Sequence, residues 1–264
     1  MKTFASLNKN IEELAKTIPH LDRLPDEDPN LCPLCDGYGH IIDENGARAC
    51  SCVRREIILS EFEDARIPER FKEEMLETFD PYKASLKALQ KDIREYVENY
   101  SVSHAKGLYI YGSTGCGKTH LAVGILKALI ERGINGVFYN VVDLLDAIRD
   151  TYDPQNGPNP KSLLIQQLQR QVFVLDDFGV QKATTWVADR LYALINRRYQ
   201  DCKTIIITSN IRMPDLMMRV DSTLASRIID MCKEIEIQAD DFRKQRNRYQ
   251  VSRKPPVRTK ISAK

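Results

Sequence analysis

Long apolar segments are missing from this sequence. No stretch approaches the roughly 18 consecutive apolar residues that a membrane-spanning helix needs, and the first residues lack the apolar core of a secretion signal. These absences argue against a membrane protein and predict a cytoplasmic one. A large excess of one charge is missing too, because 39 Lys and Arg residues face 37 Asp and Glu residues. The 264 residues suffice for one sizeable domain and a small accessory one.

The charge is nevertheless distributed unevenly. Residues 1–100 hold 14 basic and 21 acidic side chains, whereas residues 244–264 hold eight basic side chains and no acidic one. The low apolar content of this tail predicts disorder. It can contact a nucleic-acid backbone electrostatically, or it can be a solvated terminus. An acidic front and a basic tail suggest two different partners.

A complete phosphate-loop motif occupies residues 112–119. The motif, G-x-x-x-x-G-K-[ST], follows a short apolar run at residues 108–111 that predicts a buried strand, and a helical pattern comes after it. Its glycines let the backbone turn tightly and aim successive N–H groups at phosphate. We expect Lys118 to place its charge on the β- and γ-phosphates of ATP and the Thr119 hydroxyl to bind Mg²⁺. The predicted nucleotide-binding residues are Gly112, Ser113, Thr114, Gly115, Cys116, Gly117, Lys118, Thr119 and His120.

Two carboxylates and an amide are predicted to lie at the same sheet edge as this loop. Asp176 and Asp177 end an apolar run that starts at Val172, which is typical of a Walker B strand. We expect Asp176 to bind Mg²⁺ and Asp177 to orient or deprotonate the attacking water. Asn210 follows the apolar run 204–208 and can reach the γ-phosphate or that water.

Two arginines are candidates for stabilising the charge of the transferred phosphoryl group. Arg227 belongs to a helical pattern, and Arg243 follows a short alternating strand at residues 235–237. Either can instead be a surface arginine, the usual position of this residue type on a helix. Spacing alone does not decide between the two roles.

Strand and helix patterns alternate after the phosphate loop, which is typical of a parallel sheet with helices on both faces. Residues 153–160, rich in Pro, Asn and Gly, are expected to be irregular. The pattern predicts a strand over residues 137–142 and helices over residues 143–151, 161–170 and 184–200.

Four of the seven cysteines cluster near the amino terminus: Cys32, Cys35, Cys50 and Cys52. A Cys-x-x-Cys knuckle followed by a second pair can place four thiolates around Zn²⁺, and so small a segment needs metal to supply folding free energy. A redox Cys-x-x-Cys is the alternative, but it leaves the second pair unexplained. His20 and His40 are spare ligand candidates. The remaining cysteines, expected to be small apolar residues, are Cys116, Cys202 and Cys232.

An amphipathic pattern over residues 2–18 predicts an amino-terminal helix. Its apolar face can pack on the next module or dock a partner protein, because so short a helix is marginal alone. Pro68 marks the expected start of the main domain. The predicted domains are residues 1–64 (helix plus zinc module), 65–243 (nucleotide-binding domain) and 244–264 (tail).

Residues 66–243 resemble the AAA+ ATPases of the DnaC/DnaI helicase-loader group, of which the IstB transposition helper is a close relative. The cysteine segment resembles one found in loader relatives from Gram-positive bacteria and phages. The resemblance implies ATP and Mg²⁺ as cofactors, in addition to Zn²⁺. It rests on residues 112–119 as Walker A, 175–179 as Walker B, 208–210 as sensor 1, 226–228 as the arginine-finger segment and 241–243 as the sensor 2 segment.

The resemblance also implies self-assembly. In AAA+ proteins the arginine finger acts from a neighbouring subunit, so Arg227, with Arg219 as the alternative, would complete the site of another copy in a ring or spiral. Asp177 stands where most AAA+ proteins have Glu, which implies slow hydrolysis. Only 21 residues follow Arg243, so the expected fold is an α/β P-loop AAA+ fold with a truncated or absent lid, preceded by a small zinc-binding module.

The helices over residues 143–170 resemble the insertion that lines a single-stranded DNA path in this family, which makes Arg149, Tyr152 and Lys161 candidates for DNA contact. The leading hypothesis is an ATP-switched loader that grips the replicative helicase through its amino-terminal module. The first alternative is an IstB-like transposition helper on duplex DNA. The second is a nucleic-acid-binding adaptor whose nucleotide is only structural.

Overall fold

The computed structural model describes residues 32, 34–35, 38–43, 46–79, 84–102, 106–152, 159–179 and 184–242. The predicted helix over residues 2–18 and the predicted basic tail lie outside this part of the chain, as does any segment that would form a lid after residue 242. The chain divides into two compact units, Met1–Glu56 and Ile57–Lys264. The domain limits given above stay predictions.

The first unit contains an antiparallel hairpin of β1 (His40–Asp43) and β2 (Gly46–Ala49). Gly46 has a φ of 116°, a left-handed conformation that glycine adopts without a steric cost. Helix α1 (Ser51–Asp64) starts directly after Cys50.

The second unit is built on a parallel sheet. Its strands are β3 (Gly107–Gly112), β4 (Gly136–Asn140), β5 (Val172–Phe178), β6 (Thr204–Ser209) and β7 (Cys232–Ile237). They pair in the order β4-β5-β6-β3-β7, and every pairing is parallel. This order puts β3, which precedes the phosphate loop, beside β6, and it puts β6 beside β5. Groups that follow these three strands therefore meet at one edge of the sheet.

Helices connect the strands. They are α2 (Ala84–Glu98), α3 (Lys118–Glu131), α4 (Val141–Asp150), α5 (Asn159–Leu168), α6 (Thr185–Gln200), α7 (Met213–Arg219) and α8 (Ser222–Met231), with a short 3-10 helix at Glu69–Phe71. Among the helices in the described residues, none combines the length and apolar character needed to cross a membrane.

Both faces of the sheet are covered by apolar side chains. Leu108 and Ile110 of β3 belong to one buried cluster, which contains most of α3, whereas Tyr109 and Tyr111 belong to a second cluster with α6 and α8. Alternate residues of a strand point to opposite faces, so a strand that is apolar throughout must be covered on both. This arrangement confirms the predicted fold class, a P-loop parallel sheet with helices.

Several predicted boundaries are wrong for local reasons. Strand β4 ends at Asn140, not at residue 142, because the Asn140 side chain accepts a hydrogen bond of 2.9 Å from the backbone N–H of Val142 and caps α4. Helix α5 includes Asn159 and Pro160, which were expected to be irregular; proline is tolerated in the first turn of a helix, where its missing N–H has no partner to lose. Helix α7 was not predicted at all.

The three scattered cysteines differ in their surroundings. Cys116 and Cys232 are buried, as expected for small apolar residues, but Cys202 is exposed and has a φ of 51°. It follows the end of α6 in a tight turn, so the prediction was wrong for this residue.

Within the second unit, the outer edge of β4 is partly covered by residues 61–65, the end of α1 and the residue that follows it. The backbone N–H of Phe138 donates to the carbonyl of Ala65 at 2.8 Å. Arg170, just before β5, forms ion pairs with Glu61 and Asp64 on α1. These contacts hold the end of α1 beside β4, the strand at one edge of the sheet.

Candidate functional site

A cleft of about 360 Å³ lies at the carboxyl ends of β3, β5 and β6 in the second unit. The phosphate loop, Asp177 and Asn210 form one side, and side chains from residues 70–79 together with Leu86 form another. Residues 239–242, which follow β7, complete the lining. Ligands of open parallel sheets bind at the carboxyl ends of the strands, so the fold places the cleft where a ligand is expected.

The phosphate loop needs two of its glycines for space as well as for conformation. Gly115 and Gly117 have φ values of 80° and 101°. A Cβ on Gly115 would come within 2.0 Å of a carboxylate oxygen of Asp241, and a Cβ on Gly117 within 2.9 Å of a ring carbon of Phe79. The loop is therefore closely packed against its surroundings, and its backbone N–H groups are available as a phosphate cradle.

Lys118 is aimed back across this loop. Its ammonium group donates to the carbonyls of Gly112 at 3.1 Å and Ser113 at 2.8 Å, and to the amide oxygen of Asn210 at 2.7 Å. The side chain is only 6% exposed. The structure thus brings together two predicted site residues that are far apart in the chain.

Asp176 lies beside the hydroxyl groups of two threonines. Thr119 donates to its Oδ1 at 2.9 Å and Thr208 donates to the same oxygen at 2.6 Å. Burial raises the pKa of Asp176, although the Thr208 and Thr119 hydrogen bonds oppose this change. A carboxylate next to a hydroxyl is a donor set that Mg²⁺ accepts, so Thr119 and Asp176 fit the predicted metal site.

Asp177 is held by Thr208, which lies in the predicted sensor 1 segment, and by Asn140, which sequence reasoning missed. Its backbone has a φ of 59°, in the left-handed region that few non-glycine residues adopt. Its N–H donates to the Thr208 hydroxyl at 3.0 Å, and the Asn140 side-chain amide donates to its carboxylate at 3.4 Å. The available signal was a polar residue at the end of β4, the strand that neighbours β5.

His120 contacts residues 70–79, the segment that forms another side of the cleft. Its Nε2 lies 2.9 Å from the carbonyl oxygen of Met75 and 3.1 Å from the hydroxyl oxygen of Thr78. Its ring meets the ring of Phe79 edge to face, with centroids 5.6 Å apart. His120 therefore lines the cleft and also anchors a neighbouring segment, and its role in nucleotide binding stays a prediction.

The segment after β7 is bound to the phosphate loop. The Ser113 hydroxyl donates to the carbonyl of Ala239 at 2.9 Å, and the backbone N–H of Phe242 donates to the carbonyl of Gly115 at 3.0 Å. Arg243, the predicted sensor 2 residue, lies outside the described residues. Its role stays a prediction.

Arg227 is placed away from this cleft. It lies on α8, where its guanidinium is 4.8 Å from the centroid of the Tyr192 ring and 5.9 Å from that of Tyr199. It also donates to the carbonyl of Thr223 at 3.4 Å. Arg219, at the end of α7, is exposed. The described lining of the cleft contains neither arginine, as a finger that acts on a neighbouring copy requires.

Two of the three candidates for DNA contact take part in pairs of cationic and aromatic side chains. The Arg149 guanidinium lies 5.0 Å from the centroid of the Trp186 ring, and Arg190 donates to the hydroxyl of Tyr152 at 3.0 Å. Tyr152 is 59% exposed. The side chain of Lys161, the third candidate, lies outside the described part.

In the first unit, three of the predicted zinc ligands come together. The sulfur atoms of Cys32, Cys35 and Cys50 lie within 4.8 Å of one another, with 3.7 Å between those of Cys32 and Cys50. Tetrahedral Zn²⁺ with Zn–S bonds of about 2.3 Å requires about 3.8 Å between sulfurs. The Gly39 N–H donates to Cys35 Sγ at 3.3 Å. The cluster is thus compatible with a zinc module, whereas the Cys52 side chain lies outside the described residues.

Comparison with known proteins gives a consistent result. The sequence profile of the family described as IstB-like ATP binding protein matches residues 38–250. The replicative helicase loader DnaC of Escherichia coli strain K12 is 27% identical over 145 residues, which is 55% of this chain and 56% of DnaC. An ATP-binding protein of insertion sequence IS5376 from Geobacillus stearothermophilus is 31% identical over 156 residues, 59% of this chain and 60% of the relative. The chain thus spans less than two thirds of the length of these relatives.

A solved structure described as the DnaC helicase loader superimposes with a TM-score of 0.60 and 31% identity. The match covers 65% of this chain and all of that one. That solved structure and the matched part of this chain therefore have the same fold.

Proposed function

The chain belongs to the family of IstB-like ATP-binding proteins, and on that premise we propose that it is an ATP-hydrolysing loader of a replicative helicase. One observation carries the proposal: Lys118, Thr119, Asp176, Asp177 and Asn210 meet at one sheet edge beside a phosphate cradle. No purely structural nucleotide site needs a metal-binding carboxylate, a second carboxylate and an amide in the same place.

Each side chain has a task in this proposal. Lys118 binds the β- and γ-phosphates, and Thr119 and Asp176 would hold Mg²⁺, whose positive charge would help to neutralise the charge that develops on the transferred group. Asp177 orients the attacking water and accepts its proton. Asn210 faces the same space and orients the γ-phosphate or the water. Because an aspartate is shorter than the usual glutamate, the base lies further from the water and hydrolysis is slow, as suits a switch.

Nucleic acid binds on the helical insertion in this proposal. The pairs Arg149–Trp186 and Arg190–Tyr152 present cationic and aromatic groups side by side. Bases of single strands stack on aromatic side chains, and arginines contact the backbone. The zinc module and residues 2–18, which the sequence predicts to be helical, bind the helicase, and several copies assemble into a ring or spiral on the DNA.

A transposition helper on duplex DNA is the second candidate. It is favoured by the relative from an insertion sequence, which is as similar to this chain as any described above. The chemistry of the ATP site is the same in both candidates. The form of the nucleic acid separates them.

ATP turnover of the full chain, measured alone, with single-stranded DNA and with duplex DNA, tests the proposal. Lys118→Ala serves as the inactive reference. Stimulation by single strands supports the loader, and stimulation by duplex alone supports the transposition helper. Turnover no greater than that of Lys118→Ala under all three conditions contradicts both and leaves a nucleotide-dependent adaptor.

A further inference from the structure

A buried lysine that belongs to neither nucleotide motif lies behind the wall of the cleft. Lys127 on α3 is only 3% exposed. Its ammonium group donates to the carbonyls of Phe71 at 2.8 Å, Lys72 at 2.6 Å and Glu74 at 2.8 Å. An ammonium group has three donors, so each one has an acceptor here. Burial lowers the pKa of Lys127, and these carbonyls compensate the cost of burying the charge.

Lys127 is one of three side chains that hold the same loop, residues 69–79. His120 lies two turns earlier on α3, about 10 Å along the axis, and contacts Met75 and Thr78. Gln90 on α2 donates to the carbonyls of Leu76 at 3.0 Å and Phe79 at 3.3 Å. Apart from its single 3-10 turn the loop has no regular structure, so these side chains fix its position.

The loop turns aromatic side chains toward the cleft. Phe71 and Phe79 line it together with Leu86, and Phe79 also lies beside Gly117 of the phosphate loop. With the phosphates on the phosphate loop, a nucleoside that extends toward these rings gains area and stacking for its flat base.

From this geometry we propose that Lys127 is a positioning residue for base recognition, which acts by holding the loop 69–79 at the distance that a nucleobase requires. The proposal rests on the proposed binding of ATP. Lys127 touches no nucleotide itself and acts through Phe71 and its neighbours. The contacts that Lys118 makes with Gly112, Ser113 and Asn210 do not involve Lys127.

The test compares two ligands, Mg²⁺–ATP and Mg²⁺–tripolyphosphate, which has the phosphates without the nucleoside. Calorimetric titration of Lys127→Met is expected to show ATP binding weakened about tenfold, equivalent to roughly 1.4 kcal/mol, and tripolyphosphate binding unchanged. Lys91→Met, which removes an exposed lysine of α2, is the matched control and is expected to change neither affinity. A Lys127→Arg variant keeps the donors and is expected to regain part of the ATP affinity.

Gln90→Leu supplies an independent variant, since it releases the same loop from α2 and leaves α3 intact. It is expected to give the same selective loss of ATP affinity, and it decides the question if Lys127→Met does not fold. Equal weakening of both ligands, or no weakening of either, overturns the proposal. A wild-type protein that binds tripolyphosphate as tightly as ATP also overturns the proposal, because the nucleobase of ATP then adds nothing to the affinity. A wild-type protein that binds neither ligand contradicts the proposed function itself.

Discussion

The ammonium group of Lys118 and the amide oxygen of Asn210 are 2.7 Å apart, although 92 residues separate them in the chain. Lys118 starts α3 and Asn210 follows β6, and the parallel pairing of β3 with β6 brings the two ends together. The two side chains have different tasks in the proposed mechanism. Lys118 binds phosphate in the ground state, whereas Asn210 acts on the reacting groups.

Substitution of each residue should separate these tasks. Asn210→Ala is expected to retain ATP binding and to lower kcat by about 10²-fold, the usual effect of removing one polar group that stabilises a transition state. Lys118→Ala is expected to lose ATP binding. Calorimetry and steady-state turnover measure the two effects. Loss of ATP binding in Asn210→Ala would mean that this residue contributes to substrate binding in the ground state and not to the transition state.

The contact between Asn140 and Asp177 permits a second test. Asp177→Asn is expected to bind ATP and to lose about 10²–10⁴-fold in turnover, the range contributed by a general base. Asn140→Asp still caps α4, since aspartate is a good capping residue, but it sets a second carboxylate against Asp177. We expect a smaller loss of turnover in that variant with an unchanged melting temperature. Wild-type turnover in Asn140→Asp would show that the 3.4 Å contact has no catalytic role.

The position of Arg227 predicts activity that depends on assembly. Arg227→Ala is expected to bind ATP and to lose about 10³–10⁵-fold in turnover, the usual contribution of an arginine finger. Mixing it with Lys118→Ala should restore part of the turnover, because an intact finger from one variant can reach the intact site of the other. Arg219→Ala, which removes the alternative finger, is tested in the same way. If mixing with Lys118→Ala restores turnover to Arg219→Ala but not to Arg227→Ala, the finger is Arg219.

The cysteine cluster predicts a bound metal. Purified protein is expected to contain one Zn²⁺ per chain, measured by elemental analysis, and Cys50→Ser is expected to lose it. Cys202→Ser, which changes the exposed cysteine outside the cluster, is the control. Acid should release the metal, because thiolates must be deprotonated to bind it. Full zinc content in Cys50→Ser would contradict the assignment.

The buried carboxylate of Asp176 predicts a change of stability with pH. Its pKa is raised in the folded protein, so the folded state binds the proton more tightly than the unfolded state. This contribution is present at low pH and is lost as the pH rises through the folded-state pKa. In the nucleotide-free protein at neutral pH, Asp176→Asn should therefore melt a few degrees higher than wild type, and the difference should shrink in acid. The variant should also lose the Mg²⁺ dependence of ATP binding. Equal melting temperatures at neutral pH would contradict the argument.

Motifs with fixed spacing were predictable from the sequence. Residues 112–119 and the pair Asp176–Asp177 need particular residue types in a particular order, and the apolar strands before them show which sheet edge they share. The order of the strands was not predicted, because the spacing of motifs along the chain does not determine which strands pair. Side-chain interactions between elements could not be predicted in this way. A polar residue at the end of a strand was the one signal for Asn140, and nothing in the sequence sets Lys127 apart.

The arginines also show that the role of a side chain could not be predicted from the sequence alone. An arginine on a helix is usually exposed, yet Arg198 of α6 is 1% exposed and donates to four backbone carbonyls: those of Leu168, Arg170, Gln171 and Thr204. Its partners come from two other segments, so only the folded chain shows that it is structural. Arg227 is distinguished from it by contacts with tyrosine rings, and no sequence pattern separates the two.

The hydrogen bond between Phe138 and Ala65 bears on solubility during assembly. An uncovered edge strand offers a row of unpaired backbone groups to any neighbouring chain. In a protein proposed to assemble in several copies on DNA, the edge strands of different copies come close together at high local concentration. Because the end of α1 covers part of the edge of β4, the fold disfavours aggregation through pairing of edge strands. Contact between copies is left to other surfaces, whose association can depend on the nucleotide.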